Sequence, residues 1–167
     1  IFNQLLDARV AHLRWVARAE ALVEGVPLAK EQVPLLASDC DFGHWYLGRG
    51  RVLRHLPSYD SVGTHHDHLH RVYMDIFTRL YSEEERQNIL QWLGIQRTVH
   101  QSNQDKAREL IPQLKEASDA VLSAMNQLTL EFQQYLKVNG KGRSHPDSTL
   151  DQLYHELKDM GYARKSS

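Results

Sequence analysis

The chain has 167 residues, of which 41% are hydrophobic and 25% charged, and its 20 lysines and arginines nearly balance 21 acidic residues. This length suits a single domain with a substantial core, and the low glycine and proline content is typical of a globular, helical protein. The net charge of −1 gives no basic surplus, so no nucleic-acid partner is expected.

Cysteine usage and hydropathy limit the cellular context. Cys40 is the only cysteine, which excludes an internal disulfide and fits a reducing compartment. No stretch approaches the roughly 18 consecutive apolar residues that a membrane helix needs, so no membrane insertion is expected. Because the chain begins at Ile1 without a methionine or a signal-peptide pattern, we expect a cytoplasmic domain taken from a longer chain.

The first predicted helix covers residues 1 to about 24. Apolar side chains recur at helical spacing through it, and Gly25 is placed to end it. His12 falls within the apolar stripe, so its imidazole is expected to point into the core. Taken alone, it fits a hydrogen-bonded core histidine better than a ligand. The apolar segment from 25 to 39 predicts an ordered cover over one end of a helical bundle.

The run Cys40-Asp41-Phe42-Gly43-His44-Trp45 comes next. Ser38 is predicted to cap a short helix, which places Cys40 in the first turn, where the helix dipole favours a thiolate. A thiolate is the form that binds metal. The alternative is a buried structural cysteine, the usual role of a lone one. Gly43 is expected to let another backbone segment approach closely.

A further helix is predicted from about residue 61 to residue 81. His66 and His70 lie beside its apolar stripe, and their spacing of four residues puts both imidazoles on one helix face. His65 lies at the margin of the stripe, and His68 is turned away from it. By itself this spacing is also common on surfaces that bind no metal.

The rest of the chain adds helices without further ligand patterns. A separate short helical segment is predicted within 82–101, followed by a long helix from about Asn103 to Val138. Pro112 marks the point where this helix kinks or restarts.

One sulfur and three imidazoles make a four-coordinate set suited to Zn²⁺, namely Cys40 with His12, His66 and His70. Four protein ligands form a closed site, whereas hydrolytic zinc sites keep one position free for water. The HxxxH pair encloses no glutamate base, and no P-loop, GxGxxG, GxSxG or Cys-x-x-Cys motif occurs. We therefore expect metal binding without catalysis.

The order of these residues resembles the chemoreceptor zinc-binding (CZB) family of bacteria. His12, the aromatic run that begins at Cys40, and the His66–His70 pair follow one another as in that family, at intervals of 28 and 26 residues. The likeness covers roughly residues 5 to 138. It implies an all-α four-helix bundle, here with extra short helices, that binds Zn²⁺ in its core through those four residues.

The resemblance also implies a function and partners. Members are cytosolic sensory domains attached to chemoreceptor signalling modules or to diguanylate cyclases, and they form homodimers. Zinc, and in some members oxidants that act on the ligand cysteine, are the implied signals. No GGDEF or chemoreceptor signature occurs, so the output module is expected to lie outside this chain.

Two other functional classes compete with the sensory one. A structural dimerisation module would hold zinc permanently and resist mild chelation, whereas a sensor would exchange its metal. A di-iron bundle would need core carboxylates at Glu-x-x-His spacing, which the core stripes lack. The expected organisation is a zinc-binding bundle over 1–138 with an insertion at 82–101, followed by a linker and a short helix over 139–167.

Overall fold

The computed structural model describes residues 1–81 and 101–140, which form a bundle of helices. The helices are α1 (Phe2–Val23), α2 (Asp41–Leu47), α3 (Tyr59–Leu80), α4 (Gln101–Arg108) and α5 (Ile111–Gly140). Two 3-10 turns, Lys30–Gln32 and Arg49–Leu53, lie before and after α2. Within these described ranges there is no strand. The prediction of an all-α, four-helix bundle with extra short helices is confirmed.

Helix α1 ends on a left-handed glycine, as its sequence predicts. Gly25 has φ = +85°, a conformation that costs glycine little because it has no Cβ. Its N–H donates to the Leu22 carbonyl at 3.1 Å, and the Val26 N–H donates to the Ala21 carbonyl at 3.0 Å. These two hydrogen bonds form a Schellman motif, which satisfies the last carbonyls of the helix and turns the chain back over the bundle.

The core lies between α1, α3 and α5, whose apolar faces are buried against one another. The buried apolar residues of α5 recur every three or four positions, which places them on one face of the helix. They are Leu114, Ala117, Val121, Met125, Leu128 and Phe132. The corresponding residues of α3 include Val62, Leu69, Tyr73, Ile76 and Leu80.

The long C-terminal helix of the sequence analysis is divided into α4 and α5. Two residues, Glu109 and Leu110, interrupt it. Pro112 is the second residue of α5, where its missing N–H costs little because the first amides of a helix have no intrahelical partner. The predicted restart near Pro112 is confirmed, and the helix continues to Gly140, two residues beyond the expected end.

The segment between α1 and α2 is ordered, as predicted. Val33 is fully buried, and the Trp15 Nε1–H donates to the Pro34 carbonyl at 3.2 Å. The next residue places its carbonyl 2.9 Å from the imidazole of His70 on α3. The segment therefore packs across both long helices and brings backbone carbonyls next to the histidines.

Other expectations concern the outer parts of the chain. The insertion predicted at 82–101 and the tail predicted at 139–167 lie outside the described residues, apart from the start of α4 and the end of α5. In the described ranges, none of the helices combines the length and the apolar character that crossing a membrane requires.

The contact of α2 with the preceding segment depends on Gly43. A Cβ at this position would lie 1.8 Å from the Ala37 carbonyl oxygen, a backbone atom that cannot move without shifting the segment. We expect Gly43→Ala to lower the free energy of unfolding by about 2 kcal/mol or more, measured by urea denaturation. His44→Ala, at the neighbouring exposed position, is the control. Equal denaturation midpoints for the two variants would contradict this packing.

Candidate metal centre

Cys40 lies immediately before α2 and caps the helix with its sulfur. Its backbone is extended, and the Gly43 N–H donates to Sγ at 3.2 Å. The prediction that Ser38 caps the helix and that Cys40 lies in the first turn is wrong. The helix begins at Asp41, and the Ser38 hydroxyl donates to the Asp39 carboxylate at 2.6 Å instead. The sulfur therefore contacts the amides of the helix N-terminus directly.

Burial decides the protonation of Cys40. The side chain is only 2% exposed. Burial raises the pKa of the thiol, and hydrogen bonds from the backbone of Gly43 and Phe42 offset only part of this rise. The expected preference for a thiolate is therefore wrong for the thiol in these surroundings, because desolvation outweighs the helix N-terminus. A coordinated cation reverses that balance, since a metal-bound thiol is deprotonated.

His66 and His70 project from one face of α3 into the core, as their spacing predicts. They are 3% and 4% exposed, and their ring centroids are 4.7 Å apart. His66 Nε2 lies 3.3 Å from Cys40 Sγ. One ligand atom from each of these three side chains lies within 4.8 Å of the other two. We call Cys40, His66 and His70 the buried triad.

His70 is held by one ring nitrogen and leaves the other without a partner. Nδ1–H donates to the Leu35 carbonyl at 2.9 Å. Nε2 is buried and has no hydrogen-bond partner among the described residues. A buried polar atom without a partner costs about 1–3 kcal/mol. Because the Leu35 contact fixes the tautomer, Nε2 carries a lone pair that a metal ion would use.

The Cys40–His66 pair has a spacing that fits zinc. Zn–S and Zn–N distances of about 2.3 Å and 2.0 Å at a tetrahedral angle place sulfur and nitrogen about 3.5 Å apart. The Cys40 Sγ to His66 Nε2 distance of 3.3 Å is close to that value. Sulfur and imidazole nitrogen are also the ligand types that zinc prefers. The three residues therefore suit a zinc ion in their chemistry and lie close enough together to hold a metal ion.

His12 lies beside the buried triad rather than within it. It is 1% exposed, and its Nε2 lies 2.9 Å from Ser118 Oγ. Its ring packs edge-on against Phe42 at 5.9 Å, and Phe42 also packs against His66 at 4.5 Å. The structure thus brings three of the four predicted ligands together and places the fourth next to them. The four-ligand set stays a prediction.

Residues 12–77 match the family model described as the chemoreceptor zinc-binding domain. This region is a chemoreceptor zinc-binding domain. The predicted family is thereby confirmed, and all four predicted ligands lie within the matched region. The family is a binding domain and is not itself catalytic. Comparisons with curated proteins and with solved structures gave no match.

The imidazoles of the zinc-binding domain are kept neutral. The pKa of His12 is lowered to about 4 and that of His66 to about 3, chiefly by burial and in addition by the nearby His70. Burial also lowers the pKa of His70, although its hydrogen bond to the Leu35 carbonyl acts in the opposite direction. Neutral imidazoles are the form that binds metal.

An open cleft of about 430 Å³ lies against the site. His66 and Gly43 contribute to its wall, together with the carboxylates of Asp60 and Asp67. Both carboxylates are exposed, and negative charge at such a cleft raises the local concentration of cations. The cleft therefore places an acidic surface next to one of the predicted ligands.

Three neighbouring histidines are less buried than His66 and His70. His44 and His68 are exposed, and His65 is half-buried. Ser118 and the Leu35 carbonyl also contact the site histidines, and neither was predicted from the sequence. Ser118 could have been found from the sequence, because its hydroxyl interrupts the apolar periodicity of α5. The Leu35 carbonyl could not, because nothing in the sequence distinguishes one loop carbonyl from another.

These lowered pKa values predict that acid destabilises the zinc-binding domain in the presence of a chelator. The unfolded histidines take up protons below about pH 6.5 while the folded ones do not, so stability falls as the pH drops from about 6.5 toward 4. Glu24 and Glu131 also have lowered pKa values, but they contribute only below their ordinary value of 4.5. Urea midpoints measured from pH 7 to pH 5 test this.

His66→Gln is expected to flatten that pH dependence, whereas His68→Gln, an exposed position on the same helix, should leave the slope unchanged. A free energy of unfolding that does not vary between pH 7 and pH 5 would contradict the assignment of neutral buried imidazoles.

Proposed function

We propose that this domain is a zinc-binding regulatory module whose metal site is formed by His12, Cys40, His66 and His70. The observation that supports this most is the buried His70 Nε2, which lacks a hydrogen-bond partner among the described residues although its ring belongs to the buried triad. A polar atom in this position is stabilised by an ion that the neighbouring sulfur and imidazole also bind.

Bound Zn²⁺ would supply the positive charge that keeps the Cys40 thiol deprotonated. The chain itself orients the ligands: α2 presents the sulfur, α3 presents two imidazoles and α1 presents His12. Leu35 fixes the tautomer of His70, and four protein ligands would leave no position on the ion for water, which matches a closed site more than a hydrolytic one. We therefore assign the site to metal binding alone.

The regulatory part of the proposal concerns α5, which packs on both ligand-bearing long helices. The Ser58 N–H and hydroxyl at the start of α3 donate to the Glu131 carboxylate at 2.9 Å and 2.6 Å. Arg9 of α1 donates to Asn126. Because ligand binding favours the fold that can bind, zinc occupancy would shift α1 and α3 against α5.

That shift is proposed to control a signalling module attached in the full-length protein, either a diguanylate cyclase or a chemoreceptor. In this proposal the regulatory bundle covers 1–138, a linker and a short helix cover 139–167, and the protein is cytoplasmic. Oxidants would act on the same switch through Cys40, since a sulfenate is a poorer ligand than a thiolate.

The apolar core favours a sensor over a permanent zinc staple. Buried apolar side chains run along α1, α3 and α5 well beyond the metal site. Domains that zinc holds together lack such a core and unfold without the metal. A bundle with its own core can lose zinc and stay folded, which is what a reversible sensor requires.

The exposed face of α1 supports a homodimer. Four apolar residues line that face at spacings of four, four and three positions: Phe2, Leu6, Val10 and Leu13, between 43% and 59% exposed. A continuous apolar stripe on a helix surface is typical of a helix-packing interface. We propose that a second copy of the chain covers it.

Zinc titration of ligand variants tests the proposed site. The unmodified chain is expected to bind one Zn²⁺, and Cys40→Ser and His70→Gln are each expected to weaken binding by about tenfold or more. His68→Gln removes an exposed imidazole two residues from His70 and should bind zinc normally. Competition with a chromophoric chelator measures the affinities.

Equal zinc affinity in Cys40→Ser and His68→Gln would contradict the proposed ligand set. The sensory role is tested on the same samples, because mild chelation should remove the zinc while far-UV circular dichroism stays helical. A chain that resists chelation, or that unfolds with metal loss, is a zinc staple instead.

Leu6→Glu tests the dimer. A charge in the middle of the α1 stripe should convert the dimer to a monomer, because the carboxylate would be buried without a partner. Leu36→Glu changes a residue of similar exposure, 56%, in the segment before α2 and should remain dimeric. Analytical ultracentrifugation over a range of concentrations distinguishes the two states, and an unmodified chain that stays monomeric would refute the interface.

A further inference from the structure

A buried hydroxyl of α5 contacts the metal site. Ser118 is 5% exposed and lies on the apolar face of α5, beside Ala117 and one turn from Leu114 and Val121. A hydroxyl in such surroundings costs free energy unless it is hydrogen-bonded. A buried serine at position 118 therefore requires a hydrogen-bond partner for its hydroxyl.

That partner is the imidazole of His12. Ser118 Oγ lies 2.9 Å from His12 Nε2, across 106 residues of sequence, and both side chains are buried. Each group thus satisfies a polar atom of the other inside the core. The region that matches the zinc-binding family ends at residue 77, so it does not include this helix.

The arrangement parallels the one at His70. There, one ring nitrogen is held by the Leu35 carbonyl and the other is left for a metal. Histidine ligands of metals almost always donate their second ring N–H to such a partner, which fixes both the tautomer and the ring orientation. At His12 the engaged nitrogen is Nε2, which leaves Nδ1.

We propose that Ser118 is a positioning residue for the metal site. Its hydroxyl accepts a hydrogen bond from His12 Nε2–H and thereby presents Nδ1 to the ion. The inference rests on the proposed zinc site. Through Ser118, α5 contacts the proposed ligand His12 directly. The packing of α5 and the affinity for zinc therefore depend on each other.

Zinc binding by Ser118→Ala, in the full 167-residue chain, tests this role. We expect the affinity for Zn²⁺ to fall by about tenfold or more, by competition with a chromophoric chelator. Ser123→Ala, at an exposed position of the same helix, should bind as tightly as the unmodified chain. In a His12→Ala background the Ser118→Ala change should have no further effect, because the ring that it positions is gone.

The tautomer of His12 gives a second readout that needs no variant of Ser118. Two-bond ¹H–¹⁵N correlation spectra of the unmodified chain should show a proton on Nε2 and a bare or metal-bound Nδ1. A proton on Nδ1 would overturn the inference, as would equal zinc affinities for Ser118→Ala and Ser123→Ala. A chain that binds no zinc contradicts the proposed function itself, whereas normal binding without the Ser118 hydroxyl contradicts only this inference.

Discussion

The apolar core of this bundle contains a thiol and three imidazoles, and burying such groups costs free energy unless each polar atom finds a partner. The chain supplies several of those partners. His70 is bound through Nδ1 and His12 through Nε2, while Cys40 Sγ accepts from the Gly43 N–H. The Cys40 sulfur also lies 3.3 Å from His66 Nε2, and the second ring nitrogen of His70 has no hydrogen-bond partner among the described residues. These contacts bring the buried triad together.

This requirement also explains the local structure around the site. The segment before α2 is ordered because two of its carbonyls accept hydrogen bonds from buried side chains. The Leu35 carbonyl accepts from His70, and the Ala37 carbonyl lies 3.5 Å from the Cys40 sulfur. Gly43 allows that segment to approach α2, since a Cβ there would collide with the Ala37 carbonyl. The segment before α2, the N-terminus of α2 and the buried triad therefore form one interdependent unit. Displacing the segment would also displace His70, which its Leu35 carbonyl binds.

The proposed regulation depends on contacts between this unit and α5. Among the described residues, α5 contributes no member of the buried triad, yet it contacts His12 through Ser118 and the start of α3 through Glu131. Packed helices move as rigid bodies rather than deforming continuously. A change at the metal site would therefore be transmitted to α5 as a change in helix packing.

Local patterns predicted much of this structure. The spacing of His66 and His70 fixes their common face because it follows from helix geometry, and Gly25 ends α1 because only a left-handed residue closes a Schellman motif there. The capping role of Cys40 was not predictable, since Ser38 is the better cap by residue type.

Features that depend on the burial of a side chain or on contacts between residues far apart in the sequence could not be predicted from local patterns. The thiol pKa is set by how completely the fold buries the sulfur, and desolvation of that kind has no sequence signature. The pairing of His12 with Ser118 joins residues 106 positions apart, so it requires the packing of α1 on α5 to be known first.

Zinc K-edge X-ray absorption on the purified chain reports the atoms around the ion, so it tests the proposed ligand set. We expect one sulfur at about 2.3 Å and three imidazole nitrogens at about 2.0 Å, with one zinc per chain. A shell of nitrogen and oxygen alone, or a chain that retains no zinc, would contradict it.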